Sequence, residues 1–193
     1  MTDKHINDEN FAIELANTIK IVHGQETDLI KDSQSFISWM LNKNLIKDTD
    51  KITSSELDSL FAKIIDSRKI IRNVLKQISE ISYVEPKVLD DINSILKNIH
   101  IHIQINNLNG KLVKSFNTDS DFCSKILLLI YDSLIDLLVN YELERIKQCA
   151  SSSCTLFFID TSKNKKKKWC SMQTCGNREK AARHFNRKKL DTK

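Results

Sequence analysis

The stretch that decides the reading is CASSSC at residues 149–154 followed by WCSMQTCGNR at residues 169–178. It holds two cysteine pairs, Cys149/Cys154 and Cys170/Cys175, each split by four residues. Four of the five cysteines of the chain fall here. Structural Zn2+ sites are tetrahedral and often take four thiolates, so each pair supplies two ligands to one ion. The expected ligands are Cys149, Cys154, Cys170 and Cys175, and the expected cofactor is Zn2+. Between the pairs, residues 155–160 (TLFFID) read as a strand, 161–165 as a turn and 166–169 as the returning strand. After Cys170, residues 171 to about 190 read as a helix with Cys175 in its first turns. Knuckle, hairpin and helix together describe a treble-clef-like ββα finger.

A segment this short and polar buries little apolar surface, which is the usual reason for a structural metal. Four thiolates close the coordination shell. A catalytic zinc needs an open position and a nearby base, and neither is in the pattern.

The net charge of +5 conceals a split. From Lys163 onward there are 12 Lys and Arg against two acids, a net +10. The residues before it carry 18 basic and 23 acidic side chains, a net −5. An acidic body with a basic end suggests a tail that binds polyanions. The helix carries Arg178, Lys180, Arg183, Arg187 and Lys188, with Lys180, Arg183 and Arg187 on one face. Lys165, Lys166, Lys167 and Lys168 add a second anchor on the hairpin. These nine residues are the expected nucleic-acid contacts, and such a face can enter a major groove.

Upstream of the finger, three Gly and one Pro favour long helices over strands. Residues 11–22 read as a first helix. Glu14 and Asn17 lie on it three apart, and a pair at that spacing is ordinarily solvent-exposed or locally bonded. A helix capped by Asp32 or Ser33 runs through Phe36, Ile37, Met40 and Leu41. Thr53 and Glu56 form a capping-box pattern ahead of a long apolar stripe from Leu57 to Ile81. Arg68 and Arg72 sit four apart along it, on what the spacing alone reads as a solvated face. A buried Arg among helices partners carboxylates or phosphates, so Glu14, Asn17 and Arg72 are the candidates for a polar ligand pocket. Pro86 opens a helix to about residue 98.

The period then changes. Ile99, Ile101, Ile103 and Ile105 alternate with His100, His102 and Gln104; a turn at 106–110 and a strand at 111–116 complete a hairpin. Residues 121–146 form a helix that is apolar around much of its circumference, either a central core helix or part of a dimer interface. Cys123, near its start, reads as a small core residue. The N-terminus has no apolar signal core, and the greasiest run, 126–131, is far shorter than the roughly 20 residues of a membrane span. A cytoplasmic protein without a membrane partner is expected. In a reducing compartment, clustered cysteines favour metal over disulfides.

With these residues in hand, residues 149–189 resemble the bacterial CGNR zinc finger, named for Cys175-Gly176-Asn177-Arg178. The preceding part is similar to the helical ABATE domain that precedes the finger in that family, a stress-induced transcription regulator domain. The similarity rests on FAIELANT at 11–18, DLIKDSQSFISWMLNKNLI at 28–46 and the Arg-bearing helix around Arg68 and Arg72. The resemblance implies a zinc-binding, DNA-binding C-terminus and a regulatory helical body. The hairpin here is all Lys where Arg is common, which shifts binding from bidentate contacts toward simple charge.

The expected fold is mainly α. A helical N-terminal domain with a small β-hairpin covers residues 1–147, and the finger covers 148–193. The expected function is a bacterial transcription regulator with a stress role that binds DNA through the finger. Its body senses a small-molecule effector or mediates homodimerisation. The alternative is a non-transcriptional RNA- or protein-binding zinc module. No nucleophile–base pair, phosphate loop or open metal triad is present, so no enzymatic activity is expected.

Overall fold

The computed structural model describes residues 10–46, 52–99, 102–117 and 122–191. In chain order the elements are α1 (Phe11–Ala16), β1 (Ile19–Val22), β2 (Gln25–Asp28), α2 (Ser33–Asn42), α3 (Ser54–Ile81) and α4 (Pro86–Leu96). There follow β3 (His102–Leu108), β4 (Lys111–Asn117), α5 (Phe122–Asn140), β5 (Ile146–Gln148), β6 (Phe157–Ile159) and α6 (Asn177–Asp191). The fold is mostly helical, with three separate two-stranded antiparallel hairpins among the described residues.

α3 is the axis on which the rest is packed. Its capping box is closed at both ends: Glu56 N–H donates to Thr53 Oγ1 at 3.3 Å, and Thr53 N–H donates to Glu56 Oε2 at 2.9 Å. It stops at Ser82, which takes a left-handed conformation (φ 52°) and donates its N–H to Ile78 O. The stripe Leu57, Leu60, Ile64, Ile71, Val74, Leu75 and Ile78 is buried against α1, α2, α4 and α5. Each such side chain contributes about 1.5–3 kcal/mol of transfer free energy. α5 supplies the facing wall with Ile126, Ile130, Leu134 and Leu137, and Tyr131 on it is fully buried. The Tyr131 hydroxyl donates to Ser67 Oγ at 3.1 Å, and burial pushes its pKa up. Cys123 is buried and its thiol points to Glu56 O at 3.6 Å, a core residue outside the four-cysteine cluster.

Four departures from the sequence reading have physical causes. The first helix ends at Ala16 rather than at 22. Thr18, Ile19, Ile21 and Val22 are β-branched, and His23-Gly24 takes positive φ at both positions (50° and 80°), the geometry of a type I′ turn. The result is the β1–β2 hairpin.

Arg68 is not on a solvated face. It is 5% exposed and grips Asp28 of β2 in a bidentate pair, Nη1–Oδ1 2.7 Å and Nη2–Oδ2 2.6 Å, while Nη1 also donates to Thr18 Oγ1. The hairpin is thus pinned to α3 by charge.

The strand β3 runs through Leu108, and the turn is only Asn109-Gly110, again with φ positive at both (54° and 83°). Its apolar residues stay in solvent: Ile103 is 65% and Ile105 75% exposed. Of the alternating run, His100 and Ile101 lie outside the described residues, while Ile99 is buried.

The last departure is that α5 ends at Asn140, not at 146. A short 3-10 turn, Leu143–Arg145, redirects the chain into β5. That strand spans residues on both sides of the expected 147/148 domain boundary. No helix among the described residues is long and apolar enough to cross a membrane.

Candidate metal centre

The first knuckle is the loop of a hairpin. β5 enters it and β6 leaves it, paired as Ile146↔Ile159, Lys147↔Phe158 and Gln148↔Phe157. The expected partner of β6, residues 166–169, forms no strand; β6 pairs upstream instead. Cys149 N–H donates to Leu156 O (2.9 Å), and Cys154 N–H turns back to Ser151 O (3.0 Å), which places both thiols on one side of the loop.

The second knuckle opens the C-terminal helix. Ser171 caps it by accepting from Thr174 N–H at 3.3 Å, and residues Met172–Gly176 form a π-helical turn that carries Cys175 inward. Gly176 N–H donates to Ser171 O at 3.0 Å. A Cβ on Gly176 would lie 2.8 Å from Met172 Sδ and 3.5 Å from the Trp169 ring, so the glycine allows the close turn. Asn177 Nδ2 donates to Gln173 O, steadying the same turn.

The two knuckles are then bolted together. Ala150 N–H donates to Lys168 O (2.9 Å), Arg178 Nη1 donates to Ser153 Oγ (2.6 Å), and the Ser151 hydroxyl donates to Glu179 Oε1 (2.8 Å). Arg178 is among the expected nucleic-acid contacts; its guanidinium is engaged in holding the first knuckle to α6. The guanidinium of Arg183 lies over Trp169 at 5.8 Å from the ring centroid.

The four sulfur atoms all lie within 4.8 Å of one another. Cys154 and Cys170 are 3.8 Å apart, and Cys170 and Cys175 3.7 Å. With Zn–S near 2.3 Å, the edge of a regular tetrahedron is about 3.8 Å. The thiols are free, not disulfides. Their protonation shows why a dication suits them. Burial opposes ionisation of Cys149, yet the N–H groups of Cys170 and Ser151 outweigh it and hold the thiol below its ordinary value. Burial pushes Cys154 up to about 11, with the Cys149 charge adding to it. Burial and the charges of Cys149 and Cys154 push Cys170 up as well. The charge of one thiolate hinders ionisation of the next. A 2+ ion at the centre removes that repulsion, so the donor set fits Zn2+.

Among the described residues, Cys149, Cys175 and Phe158 are the buried members of the finger's own small cluster, with Cys154, Cys170 and Trp169 half-covered around them. Two of its three buried members are ligands, so the metal stands in for an apolar core.

The loop from 160 to 168 is built on one carboxylate. Asp160 is fully covered. Its Oδ2 accepts from Lys147 Nζ (2.6 Å) and Lys167 N–H (2.9 Å), and its Oδ1 from the Ser162 hydroxyl and N–H. Burial alone would raise its pKa, but Lys147 and Ser162 hold it well below the usual carboxylate range. Arg145 Nη1 donates to Asp160 O and Ser162 O, both at 3.0 Å. These framing residues were not singled out in the sequence. The available signal is that Asp160 is the one acid between Glu144 and Glu179.

The frame sorts the lysines. Lys165 Nζ sits between Glu142 Oε2 (2.6 Å) and Glu144 Oε2 (3.1 Å). Lys167 Nζ lies over the Phe158 ring at 5.2 Å. Lys166 and Lys168 are exposed. On α6, Lys180, Arg183 and Arg187 are exposed; the side chain of Lys188 lies outside the described residues.

The three candidates for a ligand pocket do not share one site. Asn17 caps α1 and exchanges two hydrogen bonds with the backbone of Phe157 in β6: Nδ2 to O at 2.9 Å, and Phe157 N–H to Oδ1 at 2.8 Å. Arg72 donates to Ala16 O and lies over the Phe157 ring at 5.7 Å. Glu14 pairs instead with Lys43, the residue that caps the end of α2, at 2.7 Å. Asn17 and Arg72 together seat the finger on the body.

A β-hairpin knuckle, a second knuckle at a helix start and four convergent thiols define a structural zinc finger of the four-cysteine class. Residues 145–188 match the family model of the CGNR zinc finger. The chain therefore carries a CGNR zinc finger at its C-terminal end. The helical domain expected ahead of it is not matched by a family model. No curated protein matches the chain.

Proposed function

We propose that the chain is a bacterial transcription regulator that binds DNA through its finger, with a role in stress responses. The observation that carries this reading is the exposed face of α6. Lys180, Arg183 and Arg187 follow one another at i, i+3 and i+7 on a helix that starts at the metal centre. A helix fixed at one end and charged along one exposed face suits insertion into a major groove against phosphates. Lys166 and Lys168 extend the same positive surface onto the loop. The helical body would sense a small ligand or pair two copies, and any signal from it reaches the finger through Asn17, Arg72 and Phe157. In this reading the protein works by binding, not by catalysis.

The test is selection of duplex fragments from the source genome by the zinc-loaded full chain at near-physiological salt. A recurring sequence supports a specific regulator. Salt-sensitive binding without enrichment overturns it and favours RNA or an acidic protein as the partner.

A further inference from the structure

The edges of the four-sulfur cluster are not equivalent. Cys149 and Cys175 are 6% and 4% exposed, whereas Cys154 and Cys170 are partly open to solvent. One edge therefore joins two cysteines that a small solute can reach, and its sulfurs are 3.8 Å apart. The Cys170–Cys175 edge is as short, 3.7 Å, but one of its ends is the buried residue carried by the π-helical turn. The backbone favours the same edge. Cys154 and Cys170 both lie outside helix and strand, the first in the β5–β6 loop and the second just ahead of the helical turn. A disulfide holds its sulfurs about 2.05 Å apart, so closing this edge asks for a movement of about 1.8 Å in connecting chain.

We propose that the Cys154–Cys170 edge is a redox switch, which a hydroperoxide oxidises to a disulfide that joins the two knuckles and releases the metal. As zinc ligands both sulfurs are thiolates, the reactive form of cysteine. One thiolate attacks a peroxide oxygen; the O–O bond breaks, a sulfenic acid forms and hydroxide leaves. The second thiolate, already placed across the edge, attacks the sulfenic sulfur, forms the S–S bond and expels a second hydroxide. Two protons from solvent turn both hydroxides into water. Each sulfur has given up one electron, and one peroxide has taken up two. Cys149 and Cys175 alone do not complete a tetrahedral shell. The finger then loses the ion that stands in for its core. Cys123 lies outside the four-cysteine cluster and takes no part. The inference stands whatever the finger binds.

The test treats the zinc-loaded full chain with hydrogen peroxide. Zinc release is followed with a chromogenic chelator, and disulfides are mapped on peptides after acid quenching. Release should be first order in peroxide, with one Cys154–Cys170 disulfide formed per zinc ion. A thiol reductant with added zinc should restore the site. Cys123→Ser should leave both rate and pairing unchanged. Release at a rate independent of peroxide overturns the proposal, because the metal then leaves before the sulfurs react. So does a first disulfide that includes Cys149, Cys175 or a second chain, or oxidation of a single cysteine with the zinc retained.

Discussion

Asn17 and Phe157 hold each other by two hydrogen bonds across 140 residues of sequence. The side-chain amide of a helix cap takes the place of a neighbouring strand for β6. Arg72 closes the contact from above, with its guanidinium on the Phe157 ring and its Nη1 on Ala16 O. The finger is therefore not tethered but seated, and its seat is the end of α1 together with α3, with Ile146, Phe157 and Ile159 in the body's core.

Asn17→Ala should loosen that seat without touching the metal. The Phe157 N–H and C=O would both lose their partner, a cost of about 1–3 kcal/mol if water does not replace it. Hydrogen exchange should quicken at Phe157 in the variant. Zinc stoichiometry should be unchanged. Unaltered exchange there would show that the amide contributes nothing to docking.

Removing the metal should unfold the finger and spare the body. The finger's own buried cluster is two cysteines and Phe158, whereas the body keeps the stripe along α3 and α5. Chelation, or Cys170→Ser, should abolish exchange protection across residues 145–188 and leave it in α3. Helix content should fall by no more than the α6 share. Loss of protection in α3 as well would mean that the finger and body fold as one unit.

Local chemistry was legible in the sequence and distant pairing was not. The cysteine spacing, the Thr53–Glu56 box, the Asp32 cap and Pro86 all act within a few residues, so each could be read in place. The β1–β2 hairpin was hidden because Phe11, Leu15, Thr18 and Ile19 fit a helical stripe; the deciding signal was the His23-Gly24 turn. Arg68 and Arg72 look alike on paper. Only the fold shows that one meets Asp28 and the other Phe157. Lys165 reads as one of four equivalent lysines until Glu142 and Glu144 are brought beside it.

Asp28 gives a pH signature. Burial alone would raise its pKa, but the Arg68 guanidinium, with the Ile30 N–H, holds it below the ordinary value. A depressed folded pKa means that its contribution is complete above the unfolded value, about 3.9, and is lost as pH falls through the lower folded value. Asp28→Asn should flatten that part of the acid stability curve. At neutral pH it should also cost several kcal/mol, up to about 3–5, because Arg68 is left buried without its carboxylate. An unchanged acid limb in denaturant melts would remove Asp28 from the account.

Asp160→Asn should collapse the basic loop's frame rather than the metal site. An amide cannot match the carboxylate that accepts from Lys147, Ser162 and Lys167, and the Lys147 ammonium would lose its counter-charge. A loss of about 3 kcal/mol is expected in unfolding of the finger. Limited proteolysis should cut within residues 161–168 in the variant and not in the parent. Equal resistance of the two proteins would show that the loop is held by its backbone bonds alone.

The last prediction concerns charge already spent. Glu142 and Glu144 hold Lys165, and the contact lowers the Glu142 pKa and raises that of Lys165. If the finger grips a phosphate backbone, these two acids subtract a cation from it and place negative charge beside the loop. Glu142→Gln with Glu144→Gln should then raise affinity for duplex DNA about two- to tenfold at low salt, and steepen the salt dependence by about one released counterion. The gain should vanish in a background carrying Lys165→Gln, which separates release of that lysine from a general change in field. The zinc centre lies outside this ion pair, so metal content serves as the control. If both variants bind with the parent's salt slope, Lys165 faces no phosphate, and the positive surface is confined to Lys166, Lys168 and the face of α6.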